Sequence, residues 1–235
     1  MFYIKIADLT VAIDNKYEYV RMLCRDYIVP PTEAPHMTVS VSEDEIREEI
    51  GAAEHPVSAA YAEGVCVYRH ICKPLPERFG AYLMHCAVIE YEGEGYAFAA
   101  ASGTGKSTHI ALWHKRFGEG VRVINGDKPI MRFIDDRLYA YGTPWCGKEG
   151  YNTNGSVPIK AICFIERATE NSIKRITPSD ALMRIFHQIL TPKTVENLDS
   201  FLPLLDRTLT EIPCYVLGCN ISLEAAEVAY NGMNN

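Results

Sequence analysis

The stretch AFAAASGTGKSTHIALW, residues 97 to 113, narrows most sharply what this chain can be. An apolar run suited to a strand enters a turn carrying Gly103 and Gly105, and a helix-forming run leaves it at Lys106. Strand, glycine turn and helix in direct succession make a phosphate cradle. Backbone N–H groups converge on the oxygens, the helix N-terminus adds partial positive charge, and a lysine reaches the outer phosphates. Ser102, Gly103, Thr104, Gly105, Lys106, Ser107 and Thr108 are the expected nucleotide-binding residues, with the Ser107 hydroxyl available to Mg²⁺. The phosphate-loop pattern G-x-x-x-x-G-K-[ST] is met except at its first glycine, where Ala100 stands, a residue that disfavours positive φ. The bland alternative is an ordinary strand-turn-helix with an incidental lysine.

Composition sets bounds on that site. A hydrophobic content of 48% is enough for a proper buried interior across 235 residues. The net charge of -7 argues against a nucleic-acid or anionic-membrane surface, which needs a positive stripe, so any phosphate site must be local. Lys5 and Asp8 interrupt the N-terminus before a signal-peptide core can form, and no apolar run approaches the ~20 residues of a membrane span, so a cytoplasmic location is expected. The eight cysteines are dispersed among apolar neighbours without a C-x-x-C pair and read as reduced core residues.

Along the chain, residues 1 to 60 read as a small α+β region: strands FYIKIAD and LTVAI, a helix over 17–26, strand MTVSV, and a helix opened by a Ser42/Glu45 capping box. Residues 61 to 235 read as a nucleotide-binding domain. Pro76 suits the first turn of a helix running to about Leu83. Strand MHCAVIEYE, a tight turn at EGEG and strand YAFAAA form a hairpin that delivers the chain to the glycine loop. A helix over 106–117 follows, then strands VRVIN, PIMRFI and LYAYG, with Asp135 and Asp136 as turn formers. Beyond a Gly/Asn/Thr-rich loop at 142–156 come strand IKAICFI, helices near 178–190 and 194–209, strand CYVLGC, and a helix from about Leu223. The expected class is α/β with a mixed sheet rich in antiparallel hairpins.

The run MHCAVIEYEGEGYAFAAASGTGKSTHIAL, Met84 to Leu112, resembles the catalytic domain of bacterial HPr kinase/phosphorylase, in which a histidine strand, a hairpin and an S-G-x-G-K-S loop follow in that order. The loop is also similar to that of ATP-dependent phosphoenolpyruvate carboxykinase, which shares the fold. VRVINGDKP, residues 121 to 129, resembles the acidic segment of both families, although Gly126 replaces the first of two adjacent aspartates. The likeness spans about residues 75 to 190 and implies an HPr kinase C-terminal domain / phosphoenolpyruvate carboxykinase-like fold, and a homo-oligomer as HPr kinase is. It also implies Mg²⁺-ATP as cofactor. It places His85 beside the γ-phosphate and makes Asp127 a metal ligand or general base. From local sequence alone His85 reads as a core histidine and Asp127 as a turn or cap former.

The activity implied is a kinase passing the γ-phosphate to a hydroxyl, on a serine of a protein or peptide or on a small molecule. The alternative is a nucleotide-binding sensor or pseudokinase, motivated by Gly126 and Ala100. A carboxykinase is a third reading, carried by the loop alone. In the 142–156 loop, Trp145 and Lys148 are candidates to touch substrate or transferred phosphate, or are an anchoring ring and a solvated cation on a connector. Arg167 and Arg175 read as surface arginines that phosphates can recruit, and His109 and His114, five apart, as structural residues.

Overall fold

The computed structural model describes residues 1–101, 103–190 and 195–235. The chain divides into two compact units, Met1–Phe79 and Gly80–Asn235.

In the first unit, β1 (Phe2–Ile6) and β2 (Leu9–Asp14) form a hairpin around Ala7 and Asp8, both with positive φ. α1 (Glu18–Leu23) follows, shorter than the expected 17–26 helix because residues 25–27 tighten into a 3₁₀ turn. β3 (Ile28–Val29) pairs with β1, and β4 (Met37–Ser40) runs parallel to β2, giving the order β3-β1-β2-β4. α2 (Glu43–Ala52) starts at the expected capping box: Ser42 accepts from the Glu45 N–H, and the Glu45 carboxylate accepts from the Ser42 N–H. α3 (Ala59–Cys72) packs on α1 and α2, so the boundary expected at residue 60 falls inside this unit. Its buried Glu63 carboxylate accepts from the N–H groups of Lys16 and Tyr17, which answers the desolvation of a charge at 0% exposure. α4 (Leu75–Phe79) carries Pro76 in its first turn as expected, yet ends well before Leu83.

The second unit opens where that helix was expected to continue. β5 (Ala81–Leu83) is a strand, because its backbone pairs with β9. Then come β6 (Ala87–Tyr91), β7 (Glu94–Ala99), α5 (Lys106–Phe117), β8 (Arg122–Asn125), β9 (Ile130–Ile134), β10 (Arg137–Tyr141) and β11 (Ser156–Arg167). β12 (Ser172–Ile176), α6 (Pro178–Ile185), α7 (Val195–Glu211), β13 (Cys214–Cys219) and α8 (Glu224–Asn234) complete it. The strands run β5-β9-β10-β11-β7-β6-β8, with β13 added between β11 and β12. β7, β11 and β13 are mutually parallel, whereas the hairpins β6–β7 and β9–β10 and the pair β12–β13 are antiparallel, which gives the mixed sheet read from the sequence. Asp135 and Asp136 form the β9–β10 turn, both with positive φ, as expected.

Parallel strands need cover on both faces. Ala97 and Ala99 of β7 face a cluster that includes Phe201, Leu205 and Leu209 of α7, and Tyr96 and Phe98 face Ile110 and Trp113 of α5 with Ala225, Ala226 and Ala229 of α8. β11 serves both sides through a bulge between Ile159 and Ala161. The extra residue switches parity, so Val157, Ile159, Ile162 and Phe164 share the first cluster while Ala161, Cys163 and Ile165 share the second. All eight cysteines are free and buried, as expected. No helix among the described residues is long and apolar enough to cross a membrane.

Candidate functional site

Sheet topology gathers the candidate residues. β6 lies between β7 and β8 and is antiparallel to both, so its start sits at the same sheet edge as the ends of its two neighbours. His85 lies two residues before β6, the glycine loop leaves β7, and Asp127 lies two residues after β8. Segments far apart in sequence therefore converge by strand direction alone.

The loop turns through Gly103 at φ 76° and Gly105 at φ 131°, conformations an L side chain rarely adopts, and α5 begins at Lys106. Ala100, by contrast, is outside the positive-φ region and 6% exposed. The missing first glycine thus costs the backbone nothing. From the end of β11, the Arg167 guanidinium donates to the carbonyls of Gly103 (2.6 Å) and Thr104 (3.2 Å), pinning the far side of the turn.

His85, Lys106 and Asp127 form one cluster. His85 Nε2 lies 2.8 Å from Asp127 Oδ1, and Lys128 Nζ donates to Asp127 Oδ2. The short contact with a carboxylate makes His85 Nε2–H the donor. The Lys106 ammonium, 3.3 Å from that same nitrogen, then has its acceptor in the Ala100 carbonyl at 2.9 Å, folded back over its own loop. Burial raises the Asp127 carboxyl, but the His85 and Lys128 hydrogen bonds and the Lys128 charge outweigh it and hold the pKa at about 2. Burial pulls the Lys106 ammonium below its ordinary value, against the attraction of Asp127. Gln188, with its side-chain amide turned to donate, reaches the carbonyls of Ala100 (3.2 Å) and His85 (3.0 Å), and its main-chain carbonyl accepts from the His85 N–H.

Asp127 is aimed by Asn125, the last residue of β8 and 0% exposed. Asn125 Oδ1 accepts from the N–H groups of Asp127 (2.9 Å) and Lys128 (2.7 Å), an Asx turn. Its Nδ2 donates to the carbonyl and hydroxyl oxygens of Thr143, at 3.0 and 3.2 Å. The 142–155 loop is zipped to this turn: the N–H of Gly126 donates to the Tyr151 carbonyl at 2.8 Å, and that of Thr153 to the Ile124 carbonyl at 3.0 Å. A Cβ on Gly126 would stand 3.0 Å from the Cys146 carbonyl oxygen and 3.4 Å from both the Tyr151 Cβ and carbonyl oxygen. A side chain at 126 would press on the loop that lies over it, so a second aspartate fits only if Cys146 and Tyr151 give way by a few tenths of an ångström.

Of the residues singled out from the sequence, His85, Lys106 and Asp127 come together, and Gly103, Thr104, Gly105, Ser107 and Thr108 form the adjoining turn and helix start. Ser102 lies outside the described residues. Trp145 is half-buried and Lys148 exposed, and the loop approaches Asp127 through Gly147, where a Cβ would meet the Asp127 Cβ at 3.2 Å. Asn125, Lys128 and Gln188 escaped sequence reading. Only the N-G-D run carried a local hint, as an Asx-turn former ahead of glycine.

The donors fit a magnesium–nucleotide complex better than a free ion. No group of three or more His, Cys, Asp or Glu side chains among the described residues suits a metal. One carboxylate and one hydroxyl, Asp127 and Ser107, leave the other positions to phosphate oxygens and water, which is how Mg²⁺ is usually held.

No family model and no curated protein matches the chain. Among solved structures, the HPr(Ser) kinase/phosphatase from Coxiella burnetii is similar over 63% of this chain and 88% of its own, at 8% identity and a TM-score of 0.38. That relationship is too distant to transfer a residue role.

Proposed function

We propose that this chain is an ATP-dependent phosphotransferase that passes the γ-phosphate to a hydroxyl acceptor on a protein, a peptide or a small molecule. The observation that carries the reading is the convergence of Lys106, His85 and Asp127 at the start of α5, beside a turn that two positive-φ glycines open to a ligand. In the reading, the loop N–H groups and the helix start take the β- and γ-phosphates, and Lys106 leaves the Ala100 carbonyl for a phosphate oxygen. Ser107 and Asp127 would hold Mg²⁺, which supplies neutralisation of charge on the phosphate oxygens. Asp127 orients the acceptor hydroxyl by accepting its hydrogen bond. With a pKa of about 2 it is a weak base, which suits a loose transfer in which the hydroxyl proton leaves late. His85 and Lys128 fix the carboxylate from two sides.

The test is calorimetric titration of Mg²⁺-ATP into wild type and Lys106→Ala, followed by a search for phosphate transfer. Loss of the charge-assisted contact is expected to weaken binding at least ~tenfold. Equal binding by both proteins, or binding by neither, would overturn the reading.

A second reading, a nucleotide-binding sensor without transfer, is favoured by two observations: both Asp127 oxygens already have cationic or N–H partners, and the loop over Gly126 crowds the place of a second acid. Tight binding without turnover for any acceptor would support it. ATP turnover abolished by Asp127→Asn would exclude it.

A further inference from the structure

Two ammonium groups and one carboxylate meet beside the glycine loop. Lys106 Nζ stands 3.3 Å from His85 Nε2, that nitrogen 2.8 Å from Asp127 Oδ1, and Lys128 Nζ 2.5 Å from Asp127 Oδ2. One imidazole and one carboxylate therefore separate the two lysines. The proposed function uses Lys106 on the triphosphate and Asp127 on the acceptor, so the phosphoryl group in transit lies between them, within reach of a flexible group that touches Asp127. Lys128 is such a group, and its part in that reading ends at holding the carboxylate.

Both partners of Asp127 are anchored through their main chains. The His85 N–H donates to the Gln188 carbonyl, and its own carbonyl accepts from the Gln188 side-chain amide. The Lys128 N–H donates to Asn125 Oδ1 at 2.7 Å, and its carbonyl accepts from the Thr143 hydroxyl at 2.7 Å. Beyond those anchors the two differ. His85 carries a rigid ring, whereas Lys128 carries a flexible four-carbon stem, 34% exposed, that can swing its charge about a fixed Cα. The position of that charge also conflicts with metal binding. An ammonium has donors only, and on a carboxylate oxygen shared with Mg²⁺ it would set a like charge at contact distance. Oδ1 takes the His85 N–H, so Oδ2 is the oxygen Asp127 has to offer a metal, and Lys128 stands on it. A bound triphosphate provides the ammonium with another acceptor, the γ-phosphoryl oxygens.

We propose that Lys128 is a further catalytic residue: with nucleotide bound, its ammonium turns from Asp127 Oδ2 to the γ-phosphoryl oxygens and neutralises the charge they carry during transfer. The inference rests on the phosphotransferase reading above and adds to it a second lysine. Lys106 is its counterpart on the loop side, with its ammonium likewise folded back on a nearby oxygen, the Ala100 carbonyl. In the step itself the acceptor oxygen bonds to the γ-phosphorus while the bond to the β,γ-bridging oxygen breaks, and that electron pair leaves with ADP. The acceptor proton passes to Asp127 and from there to water. Lys128 transfers nothing. It acts as a positive charge on the group in transit, which counts most in a loose transition state with charge spread over three oxygens.

The probes are ADP and β,γ-imido ATP, which carries the γ-phosphate and resists transfer, titrated calorimetrically into wild type and Lys128→Met with Mg²⁺ and again in EDTA. Methionine keeps much of the stem and removes the charge. The variant is expected to lose roughly tenfold more affinity for the triphosphate than for ADP, and to do so in EDTA as well, where Asp127 holds no metal. Equal change in both ligands, or none in either, overturns the proposal and leaves the phosphate site standing. A difference confined to Mg²⁺ would assign Lys128 to the placing of Asp127 and overturn it too. If wild type binds neither probe, the nucleotide reading falls as well. If Lys128→Met does not fold, amine acetylation of wild type, read by mass spectrometry, decides: protection of Lys128 by the triphosphate analogue beyond that given by ADP supports the contact, and equal protection by the two refutes it.

Discussion

Replacing Asn125 with alanine should damage the site more than any comparable change that leaves the reactive groups in place. The amide makes four hydrogen bonds from a position of 0% exposure, two to the N–H groups of Asp127 and Lys128 and two to Thr143. The Thr143 carbonyl keeps a second donor in Asn152 Nδ2 at 3.1 Å, and the Thr143 hydroxyl still donates to the Lys128 carbonyl at 2.7 Å, so the orphans are the two N–H groups. Each unsatisfied buried donor costs about 1–3 kcal/mol, and water entering the vacated space recovers part, so Asn125→Ala should cost roughly 3 kcal/mol. With a urea m-value of about 2 kcal/mol/M, the unfolding midpoint should fall by about 1.5 M. Trp113 and Trp145 both lie in the second unit, so their fluorescence follows that unit alone. Asn125→Asp keeps both accepted bonds but cannot donate to Thr143 and sets a second carboxylate beside Asp127. Its loss should be smaller, and should shrink from pH 7 to 5 as the raised carboxyl protonates and becomes a donor. An unfolding free energy for Asn125→Ala within ~0.5 kcal/mol of wild type, a midpoint shift under about 0.25 M, would refute the view that this side chain aims Asp127.

Other expectations concern the same turn. Gly126→Asp, which restores the acidic pair of the families the sequence resembles, should push Cys146 and Tyr151 outward and cost about 1–3 kcal/mol, measured by the same denaturation. A gain in stability would show that the loop yields freely. The Asp127 pKa is lowered from 3.8 to about 2, so the carboxylate contributes on the order of 2 kcal/mol, fully present above about pH 4 and lost as pH falls through 2. The stability gap between wild type and Asp127→Asn should therefore hold from pH 7 to 5 and close between about 4 and 2. A gap independent of pH would mean that the ion pairs do not form.

Contiguous patterns were legible, and long-range partners were not. The 106–117 helix, the hairpin turns at EGEG and Asp135–Asp136, and the Ser42 capping box each depend on neighbours within a few residues, and each stands where the sequence put it. α3 went unread because burial takes in Ala62, Glu63, Gly64, Cys66, Val67, Tyr68, Ile71 and Cys72, which blurs any single apolar stripe. The helix expected to reach Leu83 gave way to a strand pairing with Ile130–Arg132, some fifty residues on. In the site, Lys106 and its loop could be read from spacing. Asn125 could not, because its meaning depends on Thr143, eighteen residues further along the chain and brought back by a full hairpin.

The eight buried thiols give the molecule its own clocks. A thiol reagent reaches a cysteine only when the surrounding structure opens, so the rate at which each is trapped measures the frequency of that opening. Cys24, Cys66 and Cys72 time the first unit, and Cys86, Cys146, Cys163, Cys214 and Cys219 the second. Cys86 follows His85 directly, and Cys146 sits on the loop that covers Gly126. A ligand seated at the glycine loop would slow these two before the three in the first unit, so the chemistry of sulfur would record where binding tightens the protein without any label being added.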